Sequence, residues 1–303
     1  MKVLIIGSEG FIGHNCVVYF QQLGWEIYGC DLVDYPRGAY NYTKLSRLQP
    51  SFDEVFSKTI YDVCINTAGN GSVPVSIEHP LTDFDANCTD VIRILELIRL
   101  KNKDCKYLHL SSAAVYGDPQ KLPITENDEP RPISPYGFHK QVSELLCKEY
   151  QQLYKIPIAI VRPFSIYGPG LRKQLFWDLY QKCKPQPSEL LLWGTGNESR
   201  DFIYITDLIV ALHLILERSA MKGHIYNLAN GTEITTRQAA QAFLDSYDGS
   251  ISLHFNGEKR IGDPINWKAD ITEIQNLGYS AKVNLDAGVS EYVNWLKSDN
   301  LNK

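Results

Sequence analysis

The sequence predicts an α/β fold, a doubly wound parallel sheet followed by a smaller C-terminal lobe. Short apolar runs alternate with longer segments of helical periodicity as far as residue 161. Glycines or small polar residues directly follow several of these runs, as they do at the carboxyl ends of parallel strands. Beyond residue 163 the alternation becomes less regular, which indicates a second lobe.

The first unit of the fold is a strand, a glycine loop and a helix. Residues 2–6 form the strand, and a helical pattern runs from the loop to Leu23. Glycines in such a loop allow a tight turn and a close approach to a pyrophosphate, which the free amides at the helix start stabilise. This arrangement is Rossmann-like and predicts a dinucleotide. The predicted cofactor contacts are Gly7, Gly10, Phe11, Ile12 and Gly13.

The second strand, residues 26–30, ends in Asp31. An acid about 20 residues past the glycines is placed to bind a ribose 2′-hydroxyl, which favours NAD over NADP. Arg37 follows shortly and offers an alternative, a contact to a 2′-phosphate, although a plain exposed turn explains it better.

The middle of the chain continues the alternation. A short helix is predicted at residues 52–57, before a third strand at 61–65. A fourth strand is predicted at 106–110, and two serines follow it. The small residues after the third strand leave room for a ligand. One stripe at helical spacing predicts a long helix; it contains Leu81, Phe84, Cys88, Val91, Leu95 and Ile98.

The candidate acid/base is Tyr136, the second residue of a helix predicted over residues 135–153. Lys140 lies four residues later and therefore on the same helical face. A neighbouring ammonium favours a phenolate, so we expect the pKa of Tyr136 to be lowered towards neutrality. Ser112, at the end of the fourth strand, could hold a substrate oxygen beside the phenol. The acids of the 118–134 loop, Glu126 among them, are expected to be solvated.

A further buried strand at residues 158–161 completes the predicted sheet, and we place the domain boundary after it. Residues 1–163 are expected to form the dinucleotide-binding domain, and 164–303 a substrate-binding lobe with some elements returning to the main sheet. Helices are predicted near residues 173–182, 207–217 and 236–247. Arg172 and Lys173 suit a diphosphate by charge, although a solvated helix end explains them equally well.

Composition narrows the class of protein. The chain has 303 residues, of which 44% are hydrophobic, enough for one large or two modest domains. A net charge of −5 and the lack of a basic run argue against nucleic acid as a partner. The short N-terminal apolar run and the absence of a span of roughly 20 apolar residues predict no signal peptide and no membrane partner. Scattered cysteines predict reduced core residues and a cytoplasmic location, and histidines without ligand spacing predict no metal site.

Together these motifs resemble the extended short-chain dehydrogenase/reductase family, the NAD-dependent nucleotide-sugar epimerases and dehydratases. The resemblance spans nearly the whole chain. It is carried by Gly7-x-x-Gly10-x-x-Gly13, Asp31, Asn87, Ser112 before Val115-Tyr116-Gly117, Tyr136-x-x-x-Lys140, Arg162-Pro163, Tyr167-Gly168-Pro169-Gly170, Arg200-Asp201-Phe202 and Gly262-Asp263. It implies a tightly held NAD, with Tyr136 as acid/base, Lys140 on the nicotinamide ribose and Ser112 orienting the sugar.

The resemblance also implies the remaining site residues and a partner. Ala68 and Asn87 complete the cofactor contacts. The substrate, a nucleotide-diphosphate sugar, would meet Ser72, Ser112, Ser165, Arg172, Arg200 and Arg260. Relatives often form homodimers through a four-helix contact, which here would use the helices that begin near Leu81 and Tyr136. Arg162, directly after a strand, is expected to be structural.

Two departures from the family pattern bear on the reaction. Ala113 and Ala114 stand where dehydratases and decarboxylases usually carry an acid, which argues against dehydration. Ser165 replaces a common asparagine. We therefore expect a 4-epimerase that works through a transient 4-keto intermediate, and the alternative is a reductase or dehydrogenase of a 4-keto-deoxy nucleotide sugar. A non-catalytic dinucleotide sensor has little need of Ser112, Tyr136 and Lys140 together.

Overall fold

A computed structural model of the chain describes residues 1–46, 50–258 and 264–301. Its strands are β1 Lys2–Ile6, β2 Glu26–Asp31, β3 Asn41–Lys44, β4 Val63–Asn66, β5 Lys106–Leu110, β6 Ile158–Pro163, β7 Ser165–Tyr167, β8 Glu189–Leu192, β9 Ser199–Tyr204, β10 Lys222–Leu228, β11 Glu233–Thr235 and β12 Ser252–Phe255. Its α-helices are α1 Phe11–Gln22, α2 Phe52–Lys58, α3 Val73–Glu78, α4 Pro80–Phe84, α5 Asp90–Lys101, α6 Pro135–Tyr154, α7 Gln174–Cys183, α8 Ile205–Arg218, α9 Thr236–Tyr247, α10 Thr272–Asn276 and α11 Leu285–Leu301.

Seven parallel strands form the central sheet in the order β10-β6-β5-β4-β1-β2-β3. Side chains along β1 alternate between two buried clusters, with Val3 and Ile5 in one and Leu4 and Ile6 in the other. Both faces of the sheet are therefore covered, which explains why its strands are continuous apolar runs. The structure confirms the predicted doubly wound parallel sheet.

Two small sheets, β11-β9-β7 and β12-β8, lie in the second half of the chain. β10 returns to the main sheet and pairs in parallel with β6. Because β6 ends at Pro163, its carboxyl end leads directly into β7, and α7 follows. β7 therefore begins at the carboxyl end of the main sheet.

The structure adds one strand to the predicted elements and corrects one predicted helix. β3 was not predicted, because its residues are polar and pair only at the sheet edge. The expected single helix from Leu81 is interrupted by a π-helical turn, Asp85–Thr89, between α4 and α5. The predicted apolar stripe is buried from Cys88 onward, but Leu81 is 74% exposed and Phe84 40%. Across the described residues, no helix combines the length and the apolar character that a membrane span requires.

Candidate active site

The glycine loop joins β1 to α1 and closes tightly on itself. The Gly10 amide donates to the Gly7 carbonyl at 3.0 Å, and Gly7 has a φ of +79°. A Cβ at Gly13 would lie 2.0 Å from the same carbonyl, so a larger residue cannot be placed there without moving the backbone. The first amides of α1 have no acceptor within the helix, so they are available to bind a pyrophosphate.

Asp31 ends β2 beside this loop. Its carboxylate accepts from the Glu9 amide at 2.9 Å and from the Leu32 amide at 2.6 Å. The Arg37 guanidinium, the alternative contact for a 2′-phosphate, donates instead to Glu9 Oε2 at 2.8 Å. A 2′-phosphate here would approach two carboxylates, so the geometry favours NAD. A cavity of about 760 Å³ adjoins Asp31 and is lined by Leu32, Val33, Asp34, Lys44, Leu45 and Ser46.

A buried amide oxygen gives a second indication that the site suits a dinucleotide. Asn87 lies in the π-helical turn and is 1% exposed. Its Nδ2 donates to the Asp83 carbonyl at 3.1 Å, whereas its Oδ1 has no hydrogen-bond partner among the described residues. Burying an unpaired acceptor is costly, so this oxygen fits a site that a ligand completes. Ala68 lies against the loop, with its amide 2.8 Å from a Cβ placed at Gly7.

Ser112, Tyr136 and Lys140 meet at the carboxyl end of β5. Ser112 caps a 3-10 turn, Ala113–Tyr116, and accepts from the Ala114 amide at 3.1 Å. Gly137 lets α6 approach this turn, since a Cβ there would lie 2.5 Å from the Ala114 carbonyl oxygen. The close approach brings the Tyr136 phenol into hydrogen-bond contact with Ser112. Lys140 Nζ lies 5.9 Å from the centre of the Tyr136 ring and donates to the Leu110 carbonyl at 2.9 Å.

The expected lowering of the Tyr136 pKa is wrong for the protein alone. Burial raises the pKa of Tyr136 to about 12; the hydrogen bond from Ser112 offsets part of this rise, and the Asp83 charge adds to it. Burial also lowers the pKa of Lys140 to about 8, although the Asp83 charge opposes that change. The sequence argument considered only the neighbouring charge and omitted desolvation, which is the largest cause of the rise in the Tyr136 pKa.

A buried ion pair connects α6, the helix of Tyr136 and Lys140, to β6. Glu144 lies on α6, one turn after Lys140, and binds Arg162 through Oε1 at 2.8 Å and Oε2 at 2.6 Å. Glu144 Oε1 also accepts from Ser111 Oγ at 2.6 Å, which ties the residue next to Ser112 to the helix of Tyr136. Arg162 is thus structural, as predicted. Glu144 was missed, although its helical face could have indicated it.

A second pair lies on the other side of α6. His139 Nδ1 lies 2.6 Å from Asp83 Oδ2, and Asn70 Nδ2 donates to Asp83 Oδ1 at 2.8 Å. The Asp83 carboxylate is fully buried. It therefore connects α6 to the loop that carries Asn70. No sequence pattern indicated this contact, because 56 residues separate its two partners.

The predicted substrate residues are only partly brought together. Ser72 caps α3 beside Asn70, and Ser165 pairs with Phe202 where β7 meets β9. Arg200 Nη1 donates to the Ser199 carbonyl at 2.8 Å, and its guanidinium lies 5.4 Å from the Trp267 ring. Arg172 lies over the rings of Trp177 and Trp295. Arg260 lies outside the described residues, as do Gly262 and Asp263. All these substrate roles stay predictions.

The surroundings of Glu126 differ from the solvated surroundings that we expected. Glu126 is not merely solvated, because its Oε1 accepts from the Asn227 amide at 2.8 Å and burial raises its pKa. The Arg162 guanidinium also reaches the Glu126 carbonyl at 3.3 Å. The proline-rich loop is therefore anchored beneath the site. Across the described ranges, no three His, Cys, Asp or Glu side chains cluster in a way that could hold a metal ion.

Known proteins are similar to this chain over nearly its whole length. Residues 3–229 match the model of the NAD dependent epimerase/dehydratase family. The uncharacterized UDP-glucose epimerase YtcB of Bacillus subtilis is 29% identical over 98% of this chain and 98% of its own. The UDP-glucuronate 4-epimerase of Thermodesulfobacterium geofontis is 27% identical over 98% of this chain and 96% of its own.

A solved structure shows the same fold with ligands. The UDP-glucuronic acid 4-epimerase of Bacillus cereus, in complex with UDP-glucuronic acid and NAD, superposes with a TM-score of 0.88 at 25% identity. The match covers 98% of this chain and 99% of that chain. Because the family model covers most of the sequence, the resemblance predicted from its motifs is confirmed: the chain belongs to the NAD dependent epimerase/dehydratase family.

Proposed function

We propose that this protein is an NAD-dependent nucleotide-sugar 4-epimerase that works through a transient 4-keto intermediate. The observation that carries this proposal is the convergence of Ser112, Tyr136 and Lys140 at the carboxyl edge of the sheet, beside the glycine loop. The relatives support the substrate class, since they are named for UDP-glucose and UDP-glucuronate. Uridine diphosphate sugars are therefore the first substrates to test.

Each residue of the site has a stated task in this reaction. Because the pKa of Tyr136 is raised in the protein alone, its phenol must first lose its proton in the NAD-loaded enzyme. The phenolate then takes the proton of the sugar 4-hydroxyl and later returns it, and Ser112 orients that oxygen through a hydrogen bond. The Lys140 ammonium stabilises the phenolate and would contact the nicotinamide ribose. Asp31, Ala68, Asn87 and the 7–13 loop would hold the NAD. When bound, NAD supplies the acceptance and return of hydride.

Replacing Tyr136 by Phe tests the acid/base assignment. The exchange keeps the ring but removes the proton carrier, so we expect kcat to fall about 10²- to 10⁴-fold while bound NAD is retained. Tyr154→Phe, on the same helix, is the control and should keep activity. Exchange between UDP-glucose and UDP-galactose, and between UDP-glucuronate and UDP-galacturonate, is measured without added cofactor. An active Tyr136→Phe variant would refute the assignment.

The cofactor content distinguishes this proposal from the reductase alternative. An epimerase returns its hydride internally, so NAD stays bound between turnovers. We expect mass spectrometry of the denatured protein to find near one NAD per chain. An empty site, together with turnover of 4-keto sugars that requires added NADH or NADPH, would instead establish a reductase.

We further propose that the protein forms a homodimer through α5 and α6. These helices pack against each other, and their outer faces expose apolar side chains. The exposed residues on these helices are Ile92, Leu100, Phe138, Leu145 and Leu153; Leu81 and Phe84 are exposed on α4, which also packs against α6. Burying this surface would favour association. Leu145 is 58% exposed, so Leu145→Glu should give a monomer by light scattering. A wild-type monomer at micromolar concentration would refute the dimer.

A division into two domains, 1–163 and 164–303, remains our proposal. It is supported by the position of Pro163 at the end of β6, after which the small sheets begin. The return of β10 to the main sheet would tie the second unit to the first. We also propose a cytoplasmic location, because all seven cysteines are free and buried, as suits a reducing compartment.

A further inference from the structure

We propose that Lys173 is a substrate-binding residue whose ammonium pairs with an anionic group of the nucleotide sugar. This inference rests on the proposed function and names one further contact of the same site. Lys173 lies at the N-terminal end of α7, shortly after β7, where the second lobe begins. Lys173 and Arg172 are neighbours in the chain, so the sequence does not distinguish their roles. In the folded protein, however, their side chains have different surroundings.

The Lys173 ammonium lies against the loop that follows β4. A Cβ built at Gly71 would be 3.2 Å from Lys173 Nζ, and a Cβ at Gly69 would be 3.5 Å from Lys140 Nζ. Two residues span at most about 7 Å of chain, so the two ammonium groups border one short stretch of loop. Both glycines are exposed, and Ser72 follows them directly. Lys173 therefore faces the same part of the cleft as the catalytic lysine.

The surroundings of Lys173 provide little compensation for its charge. Lys173 is exposed as a residue, but the protein atoms around its ammonium desolvate it and lower its pKa. Within the described part of the chain, no carboxylate forms an ion pair with Lys173. Arg172, by contrast, lies 5.7 Å from the Trp177 ring and 5.4 Å from the Trp295 ring. An anion bound between Lys173 and the loop that follows β4 would replace part of the lost solvation.

A nucleotide sugar can offer two anions at this place. The diphosphate is common to every such substrate. A uronic acid also carries a carboxylate group attached directly to the sugar ring. Both carry oxygens that accept charge-assisted hydrogen bonds from an ammonium. The relatives are named for UDP-glucose, whose sugar is neutral, and for UDP-glucuronate, whose sugar carries a carboxylate. If Lys173 contacts that carboxylate, the enzyme should prefer UDP-glucuronate.

The test compares Lys173→Gln and Lys173→Arg with wild type by calorimetric titration of UDP, UDP-glucose and UDP-glucuronate into the NAD-loaded protein. KM values for the two sugars are measured in parallel. Lys182→Gln is the matched control, because Lys182 lies on the same helix and its Nζ donates to the Leu191 carbonyl at 3.0 Å. Removing a charge-assisted contact should weaken binding by about tenfold. Lys173→Arg keeps the charge and should recover most of the affinity.

The three ligands separate the two sources of the anion. Weakening of all three by one factor assigns Lys173 to the diphosphate, and weakening of UDP-glucuronate alone assigns it to the sugar carboxylate. If Lys173→Gln binds all three within twofold of wild type, the inference is overturned while the proposed function stands. If wild type neither binds nor turns over either sugar, the proposed function fails, and this inference fails with it.

Discussion

The pair formed by Glu144 and Arg162 allows a sharp prediction about stability. Both side chains are 2% exposed, and Glu144 accepts two hydrogen bonds from Arg162 and one from Ser111. In Glu144→Gln the amide group would turn a donor towards the guanidinium or Ser111, and the buried arginine would lose its counter-charge. Breaking a buried pair in this way costs about 3–5 kcal/mol of the free energy of unfolding.

Removing both charges should cost less than removing one. In Glu144→Leu/Arg162→Met no charge is left unpaired, and the Tyr116 hydroxyl keeps its hydrogen bond to Asn227 Oδ1 at 2.7 Å. Ser111 loses its acceptor, which costs roughly 1–3 kcal/mol, and the Tyr116 hydroxyl and the Glu126 carbonyl lose the Arg162 donor. We therefore expect the double variant to be more stable than either Glu144→Gln or Arg162→Met.

Urea unfolding followed by tryptophan fluorescence measures these differences. NAD and protein concentrations must be held constant, because a bound ligand and a partner subunit both shift the apparent stability. Glu149→Gln, exposed on the same helix, is the control and should change stability by less than about 0.5 kcal/mol. A loss below about 1 kcal/mol in Glu144→Gln, or a double variant less stable than both single variants, would refute this account.

Three further predictions concern the cofactor and the proton chemistry. Gly13→Ala places a carbon 2.0 Å from the Gly7 carbonyl, so the purified protein should lose its NAD, whereas Gly249→Ala, with no atom within 4 Å, should retain it. Because the Lys140 pKa is about 8, its charge and the activity that depends on it should fall as the pH rises through that value. Lys140→Arg stays charged and should move this alkaline limb upward in a pH–rate profile; an unmoved limb would count against Lys140 as its origin. Asp83→Asn removes a charge that raises the Lys140 pKa, so the same limb should move downward, and an upward shift would contradict that.

Much of the site could be predicted because its signals are local. The 7–13 loop, Asp31 at a strand end, and the spacing of Tyr136 and Lys140 each depend on one strand–turn–helix segment. Short-range backbone geometry decides such segments, so a sequence pattern is sufficient to recognise them. The order of these motifs along the chain then predicted the family and, through it, the expected enzyme class.

Other features could not be predicted, because they depend on contacts between distant segments. The Asp83–His139 pair joins residues 56 apart, and the Ser111–Glu144 bond joins residues 33 apart. β3 forms only because β2 offers it an edge. The pKa of Tyr136 was predicted in the wrong direction, since desolvation depends on every atom that surrounds the ring.

The sequence by itself determined the parallel sheet, the glycine loop and the residues able to carry acid/base chemistry, since these follow from periodicity and spacing along one chain segment. Only the tertiary structure decided which charges face each other. It paired Arg162 with Glu144, placed Arg172 over two indoles and directed Lys173 to the loop that follows β4. Electrostatic energies depend on distance and burial in three dimensions, and neither quantity can be read from the order of residues.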